Sequence, residues 1–363
     1  MNPILFVVFA AALQASAQNA KTENVFLIIS DGLRWQEVFR GAEGDLLNKT
    51  NGGVYNVDAT RKQFWRQTVE ERRRVLMPFF WREIAAHGQL FGNTNKGSIA
   101  TVTNGKKFSY PGYNEVLTGA PDGRITSNDK VANPNVTVFE WLNQQRKFKK
   151  RVAVFGNWDV FAYIFNEERS SLPIWPVWEK KFVTNEIRTA PLLEKLFQDT
   201  TEAMGPDITF DSFLFHGAMD YIKEKKPRVM FIGFGETDEW AHNGRYDLYL
   251  SAARHVDEFV SRLWKTVQSM PRYKNKTTLI ITCDHGRGSG TENWKHHGVS
   301  IPGAEYVWLA VLGPDTASMG ERTNCEPITH NQVAATIAAL LGQDYQSAFP
   351  RTGAPIRDAS AHQ

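Results

Sequence analysis

Three apolar runs in this chain each lead to side chains able to bind divalent cations. Thr277 to Cys283 reads TTLIITC and is followed at once by Asp284-His285-Gly286. Asn24 to Ser30 reads NVFLIIS and is followed by Asp31-Gly32, and the run from Arg228 to Gly233 is followed shortly by Asp238 and His242. β-Branched and aliphatic runs of this length, bounded by turn residues, predict strands. In an open α/β sheet, ligands collect in the crevice beyond the carboxyl ends of the strands. Three acidic strand ends, two of them with histidines, therefore point to a polynuclear metal site. Asp238 and His242 stand four residues apart, a spacing that on a helix puts both on one face where they can grip one cation. Asp284 and His285 are adjacent, and a sharp turn at Gly286 lets both face inward. Each motif also has a plainer reading: Asp31 or Asp284 as a buried cap of the next helix, Asp238 and His242 as surface residues. A further His-Gly pair, His297-Gly298, directly follows His296.

These strand ends need a scaffold to bring them together. With 363 residues, 42% of them hydrophobic and 12% aromatic, the chain can bury a large core, as one α/β domain with insertions or as two domains. Strands are expected over 24–30, 151–155, 228–233, 277–283 and 305–312. Helices are expected over 77–86, 111–117, 138–145, 210–223, 245–270 and 330–341. Pro111 sits in a first helical turn, Gly342 closes the last helix, and Leu248, Ala252, Val256, Phe259, Val260 and Leu263 follow three-four spacing. Alternating strands and helices predict an α/β fold, a mostly parallel central sheet flanked by helices on both faces. Two stretches break the rhythm. Residues 40–75 read as an irregular excursion, and 157–205, with Trp158, Pro173, Trp175, Pro176 and Trp178, as an inserted cap.

Ile4 to Leu13 is too short to span a bilayer, and Ala15-Ser16-Ala17 has a small-x-small cleavage pattern. Residues 1–17 therefore read as a secretory signal, leaving 18–363 as a soluble, secreted or periplasmic protein with no membrane association. The net charge is only +3. The basic clusters Arg72-Arg73-Arg74 and 146–151 read as solvated faces, with no specific nucleic-acid binding expected. Two cysteines, Cys283 and Cys325, are too few for a disulfide scaffold, although a single bridge is open to an exported protein.

The order of the motifs is more specific than any one of them. An Asp ending the first strand, a hydroxyl, DxxxH, DHG and His-Gly together resemble the alkaline phosphatase superfamily, in particular its nucleotide pyrophosphatase/phosphodiesterase branch, over about residues 23–345. In that branch a Thr or Ser nucleophile heads a helix and is followed by an aromatic residue, Pro and later Thr-Gly. Ser109-Tyr110-Pro111 and Thr118-Gly119 match that pattern. The resemblance implies that Asp31, Asp284 and His285 hold one metal with the Ser109 oxygen, and that Asp238, His242 and His297 hold the other. It also makes Asn128, after a two-residue shift, a hydrogen-bond donor to a phosphoryl oxygen. Two departures stand out. Gly112-Tyr113 replaces the Asn-His often found there, and the last ligand falls in His296-His297, where the following Gly298 favours His297. His330 lies outside the pattern.

Mixed Asp and His ligands favour zinc or a similar borderline divalent ion over magnesium or calcium. Two such ions, roughly 4 Å apart, clamp the attacking and leaving oxygens of an in-line displacement. Coordination also lowers the pKa of a serine hydroxyl, and a helix N-terminus offers donors to phosphoryl oxygens. The expectation is a di-metal hydrolase of small-molecule phosphate esters, monoester or diester, working through a covalent phosphoseryl intermediate. The first alternative on the same fold is a sulfate-ester or phosphonate hydrolase. A sulfatase, however, matures a Cys or Ser in a CxPxR-like signature, and neither cysteine nor a suitably spaced Arg accompanies Ser109. A phosphoglycerate mutase is another relative of the fold, cytosolic and with its nucleophile in a different local motif. A non-catalytic exported binding protein would be expected to lose ligands first, and every matched position here is competent.

Overall fold

The computed structural model describes residues 21–175 and 190–359. The expected signal at 1–17, and Pro176 and Trp178 of the expected cap, lie outside the described residues. Seven strands form the central sheet: β1 (Asn24–Ser30), β2 (Gln89–Phe91), β4 (Val152–Gly156), β5 (Val229–Phe234), β6 (Thr277–Thr282), β7 (Leu309–Leu312) and β8 (Gly320–Glu321). Their order is β4-β5-β1-β6-β7-β2-β8, and β3 (Ala100–Thr101) pairs separately with β9 (Ile328–Thr329). β1 runs parallel to β5 and β6, and β4 parallel to β5, whereas β7 is antiparallel to both its neighbours. Every residue of β1, β4, β5, β6 and β7 is buried. That follows from covering both faces of a parallel sheet, and it explains why these strands read as continuous apolar runs. The fold is thus the expected α/β architecture.

Several elements differ from expectation. Residues 40–75 are largely helical: Lys49–Gly52, Val57–Phe64 and Val69–Leu76. The polar residues that suggested an irregular excursion are their caps, with Asn48, Asn56 and Thr68 accepting from the amides of Asn51, Ala59 and Glu71. The helix expected over 77–86 contains a wide π turn, Phe80–Ile84, that runs into Ala85–His87. On the long helix Tyr246–Ser269, Leu248 is only half-buried, and Tyr249 and Leu250 face the core instead.

The described start of the expected cap is core. Phe161 packs edge-on against Tyr113 with ring centroids 4.8 Å apart and lies 5.2 Å from Phe231 of β5, and Trp175 stacks on Phe155 of β4 at 5.5 Å. Trp158 and Trp175 are therefore packing residues. The first basic cluster is also not simply a solvated face, since Arg73 is buried, lies 3.6 Å over the Trp81 ring and pairs with Glu321. Cys283 and Cys325 are both free. Among the described residues no helix is long and apolar enough to cross a membrane.

Candidate metal centre

Strand register sets the level of the site. Ile29 of β1 lies opposite Thr282 of β6, and Ser30 opposite Phe234 of β5, so Asp31, the turn before Asp238 and Asp284 leave the sheet at one edge. Asp238 and His242 occupy the short helix Glu236–His242 that begins directly after β5. Two groups of ligand-competent side chains result: Asp31, Asp284 and His285, and Asp238, His242 and His297. The two meet through stacked His285 and His297 rings, centroids 4.0 Å apart.

In the inner group, three atoms converge and their partners are used elsewhere. His285 Nε2 stands 3.3 Å from Asp31 Oδ1 and 3.5 Å from Asp284 Oδ2. The other oxygen of Asp31 accepts from the Tyr113 hydroxyl at 3.0 Å, and that of Asp284 from the Gly32 amide at 3.1 Å. His285 Nδ1 lies 3.0 Å from the Gly286 carbonyl. A carbonyl only accepts, so Nδ1 carries the proton and Nε2 keeps its lone pair for a ligand. Asp31 Oδ1 and Asp284 Oδ2 are buried without any hydrogen-bond partner, a state that buried carboxylate oxygens seldom tolerate. A divalent cation would satisfy both together with Nε2, so these residues fit such an ion.

The outer group is more exposed and differently charged. Asp238 Oδ2 lies 3.1 Å from His242 Nε2, which lies 2.9 Å from His297 Nε2. The other Asp238 oxygen accepts from the guanidinium of buried Arg287. Burial, followed by the charge of Asp238, pushes Asp31 well above the usual carboxylate range, and burial followed by Asp31 does the same to Asp284. Burial acts on Asp238 in the same sense, but Arg287 and then His242 outweigh it and hold that carboxyl well below. Burial, with His285 beside it, pushes His297 far down and keeps its imidazole neutral. His296, one residue away, is exposed. His330 is buried, its Nε2 2.9 Å from the Thr282 hydroxyl, and stands outside both groups.

Ser109 is buried at the start of the helix Ser109–Thr118, its Oγ 3.4 Å from His285 Nε2. The helix begins two residues earlier than expected, with Pro111 still in the first turn. Asn128 reaches the same helix end, where its Oδ1 accepts from the Tyr110 amide at 2.9 Å. That contact leaves its NH2 as a donor. The departure at Gly112-Tyr113 acquires a physical reason. A Cβ on Gly112 would lie 2.4 Å from the Asp284 carbonyl oxygen, so glycine lets the helix rest on the Asp284 turn, while Tyr113, one turn beyond Ser109, reaches Asp31. Gly286 likewise acts through space and not through its own torsion: its φ is not positive, and a Cβ there would lie 2.1 Å from the Tyr306 carbonyl oxygen.

Sequence reasoning missed two residues of this centre. Arg287 directly follows the DHG turn, and its position was the available signal. Tyr113 was visible only as a departure, although its spacing from Ser109 places both on one helix face.

A family model described as the Metalloenzyme superfamily matches residues 208–345, the stretch that holds Asp238, His242, Asp284, His285 and His297. Over 141 residues the chain is 28% identical to a 2,3-bisphosphoglycerate-independent phosphoglycerate mutase of Haloarcula marismortui, covering 38% of this chain and 25% of the mutase. The chain thus spans about a quarter of the length of the curated relatives it matches. Among solved structures it is similar to a mutant of the alkaline phosphatase PafA, with a TM-score of 0.57 and 11% identity, covering 93% of this chain and 99% of that one. It is also similar to murine ectonucleotide pyrophosphatase/phosphodiesterase 5, with a TM-score of 0.53 and 12% identity, covering 89% of this chain and 96% of that one. Likeness at such identities is likeness of fold. The family match over residues 208–345, the mostly parallel sheet and the two ligand groups agree with one another: the chain has an alkaline-phosphatase-like fold, and its second half resembles the Metalloenzyme superfamily.

Proposed function

We propose that this protein is an exported, two-metal hydrolase of phosphate esters, diester or monoester, with Ser109 as its nucleophile and zinc or a similar divalent ion in each ligand group. The observation that carries the reading is the position of Ser109: its Oγ sits at a helix N-terminus, 3.4 Å from His285 Nε2. When bound, divalent ions supply Lewis-acid stabilisation of the attacking and leaving oxygens and lower the pKa of the serine hydroxyl. His285 is poorly placed to serve as a general base instead. Its Nε2 is shared with two carboxylate oxygens, and 3.4 Å exceeds the roughly 2.6–3.2 Å of a nucleophile and its base. Ser109 attacks phosphorus, its bond to phosphorus forms as the ester oxygen leaves, and water then cleaves that bond, restoring the serine hydroxyl and releasing phosphate from a monoester substrate or a phosphate monoester from a diester. Through that sequence the Ser109 amide, in the first turn of its helix, and the Asn128 NH2 donate to the phosphoryl oxygens.

The names of the relatives, a phosphoglycerate mutase, an alkaline phosphatase and a pyrophosphatase/phosphodiesterase, support phosphoryl chemistry over sulfate esters. The test compares an aryl phosphate, a bis-aryl phosphate, a dinucleotide and an aryl sulfate on the metal-loaded protein. Turnover of at least one phosphate ester above the sulfate is expected. Ser109→Ala should lower that turnover at least on the order of a thousandfold while retaining the metal content. Preference for the sulfate, or full activity in Ser109→Ala, would overturn the reading.

A further inference from the structure

Every carboxylate of the two ligand groups accepts a hydrogen bond from a protein donor on one oxygen, and the donors differ in charge: those of Asp31 and Asp284 are neutral, and that of Asp238 is a guanidinium. Asp31 is held by the neutral hydroxyl of Tyr113. Asp238 is held by Arg287, whose side chain has no solvent exposure. The guanidinium bonds both the carboxylate and the backbone carbonyl of Asp238, the latter at 3.2 Å, and a further nitrogen reaches the Lys295 carbonyl at 2.5 Å. It is therefore fixed in place, and an arginine does not give up its proton in a protein. The inner group offers two carboxylates and one imidazole, with side-chain exposures of 9%, 0% and 0%. The outer group offers one carboxylate, already facing a positive charge, and two imidazoles, with His242 43% exposed.

From this asymmetry we infer that Arg287 is a built-in cation that makes the Asp238–His242–His297 group the weaker metal site, so that the Asp31–Asp284–His285 group fills first. The inference rests on the two-metal reading above. An incoming divalent ion meets two carboxylates with no cation hydrogen-bonded to them in the inner group, each able to release its proton as the ion binds, but in the outer group a single carboxylate already paired with a fixed guanidinium. Neutral partners of a metal ligand orient it and commonly raise affinity, by about 10–100-fold. Arg287 orients Asp238 as well, but its positive charge opposes the ion that Asp238 is oriented to receive. The consequence is a centre assembled in order: Asp31, Asp284 and His285 are occupied at low metal concentration, and the outer group completes the site only as the concentration rises.

The test is a titration of the metal-free, full-length protein with Zn2+ against a competing chelator. Two binding events are expected, separated by about tenfold or more in Kd. His242→Ala should remove the weaker event and leave the tighter one in place. Arg287→Gln, which removes a unit positive charge beside the ligand, should tighten the weaker event by about tenfold or more, and Arg287→Lys, which keeps the charge, should retain the original separation. Loss of the tighter event in His242→Ala would overturn the inferred order. An outer affinity that is unchanged or weakened in Arg287→Gln would overturn the role of Arg287. If Arg287→Gln does not fold, equal or reversed affinities in the unaltered protein would still refute the inference. Binding of fewer than two ions by the unaltered protein is a different result, because it would sink the two-metal reading itself.

Discussion

Gly112→Ala offers a sharp test of how the serine is positioned, because the clash it introduces is with backbone on both sides. The new Cβ would lie 2.4 Å from the Asp284 carbonyl oxygen and 3.0 Å from the carbonyl carbon. Relief to an ordinary contact of about 3.4 Å requires a movement of about 1 Å. Neither side yields by rotating a side chain. The helix Ser109–Thr118 must lift, or the Asp284 turn must sink, and either movement separates Ser109 from the inner ligand group. Overpacking of this kind costs about 1–3 kcal/mol of stability, and a misplacement of about 1 Å costs on the order of a hundredfold in rate. The assay is kcat/KM for the best phosphate ester, read beside a thermal melt and a metal analysis of the same preparation. Activity should fall about a hundredfold in a protein that is folded and only modestly destabilised. Unaltered kcat/KM would refute the coupling, since the strain would then have been absorbed without moving Ser109.

Two further outcomes follow from the same geometry. His297→Ala should lose about one equivalent of metal, whereas His296→Ala should lose none because His296 belongs to neither ligand group; elemental analysis of both variants decides the register, and the reverse result would shift the ligand by one residue. In metal-free protein, Asp31 and Asp284 hold protons above the pH, about 4, at which an unfolded carboxylate releases them. The folded state then binds more protons than the unfolded one, so stability should fall as pH rises above about 4, through the raised carboxyl values. Buried, neutral His297 and His330 act in the opposite sense below about pH 6.5, so the fall is read in denaturant melts above that pH, and saturating metal should remove it; a metal-free protein whose stability rises above about pH 6.5 would contradict the assignment.

Much of the fold was legible because a parallel sheet buried on both faces writes itself as unbroken apolar runs. The strands expected over 24–30, 228–233 and 277–283 lie within a residue of those observed. The irregular reading of 40–75 failed because asparagine and threonine between charged residues serve loops and helix caps alike, and only the amides of Asn51, Ala59 and Glu71 reveal which. Trp158 and Trp175 misled for a related reason. Aromatic residues among prolines suit a lid and a core equally, and contact with Phe155 and Phe161 decides between them.

The sequence by itself determined the inventory of the site: which residue types end each strand, that Asp238 and His242 share a helical face, and that a hydroxyl heads a helix before Pro111. Those are local properties, set by residue chemistry and by the periods of strand and helix. Tertiary structure brings Asp31, Asp284 and His285 around one point and His297 to Asp238, as the resemblance implied, and it alone decided that Arg287 and Tyr113 hold one carboxylate of each group. Such facts depend on register between strands some 250 residues apart in the chain, Ile29 beside Thr282, and on the close approach that Gly112 permits. Charge compensation between groups so distant in sequence leaves no local pattern, because Coulomb energy depends on separation in space.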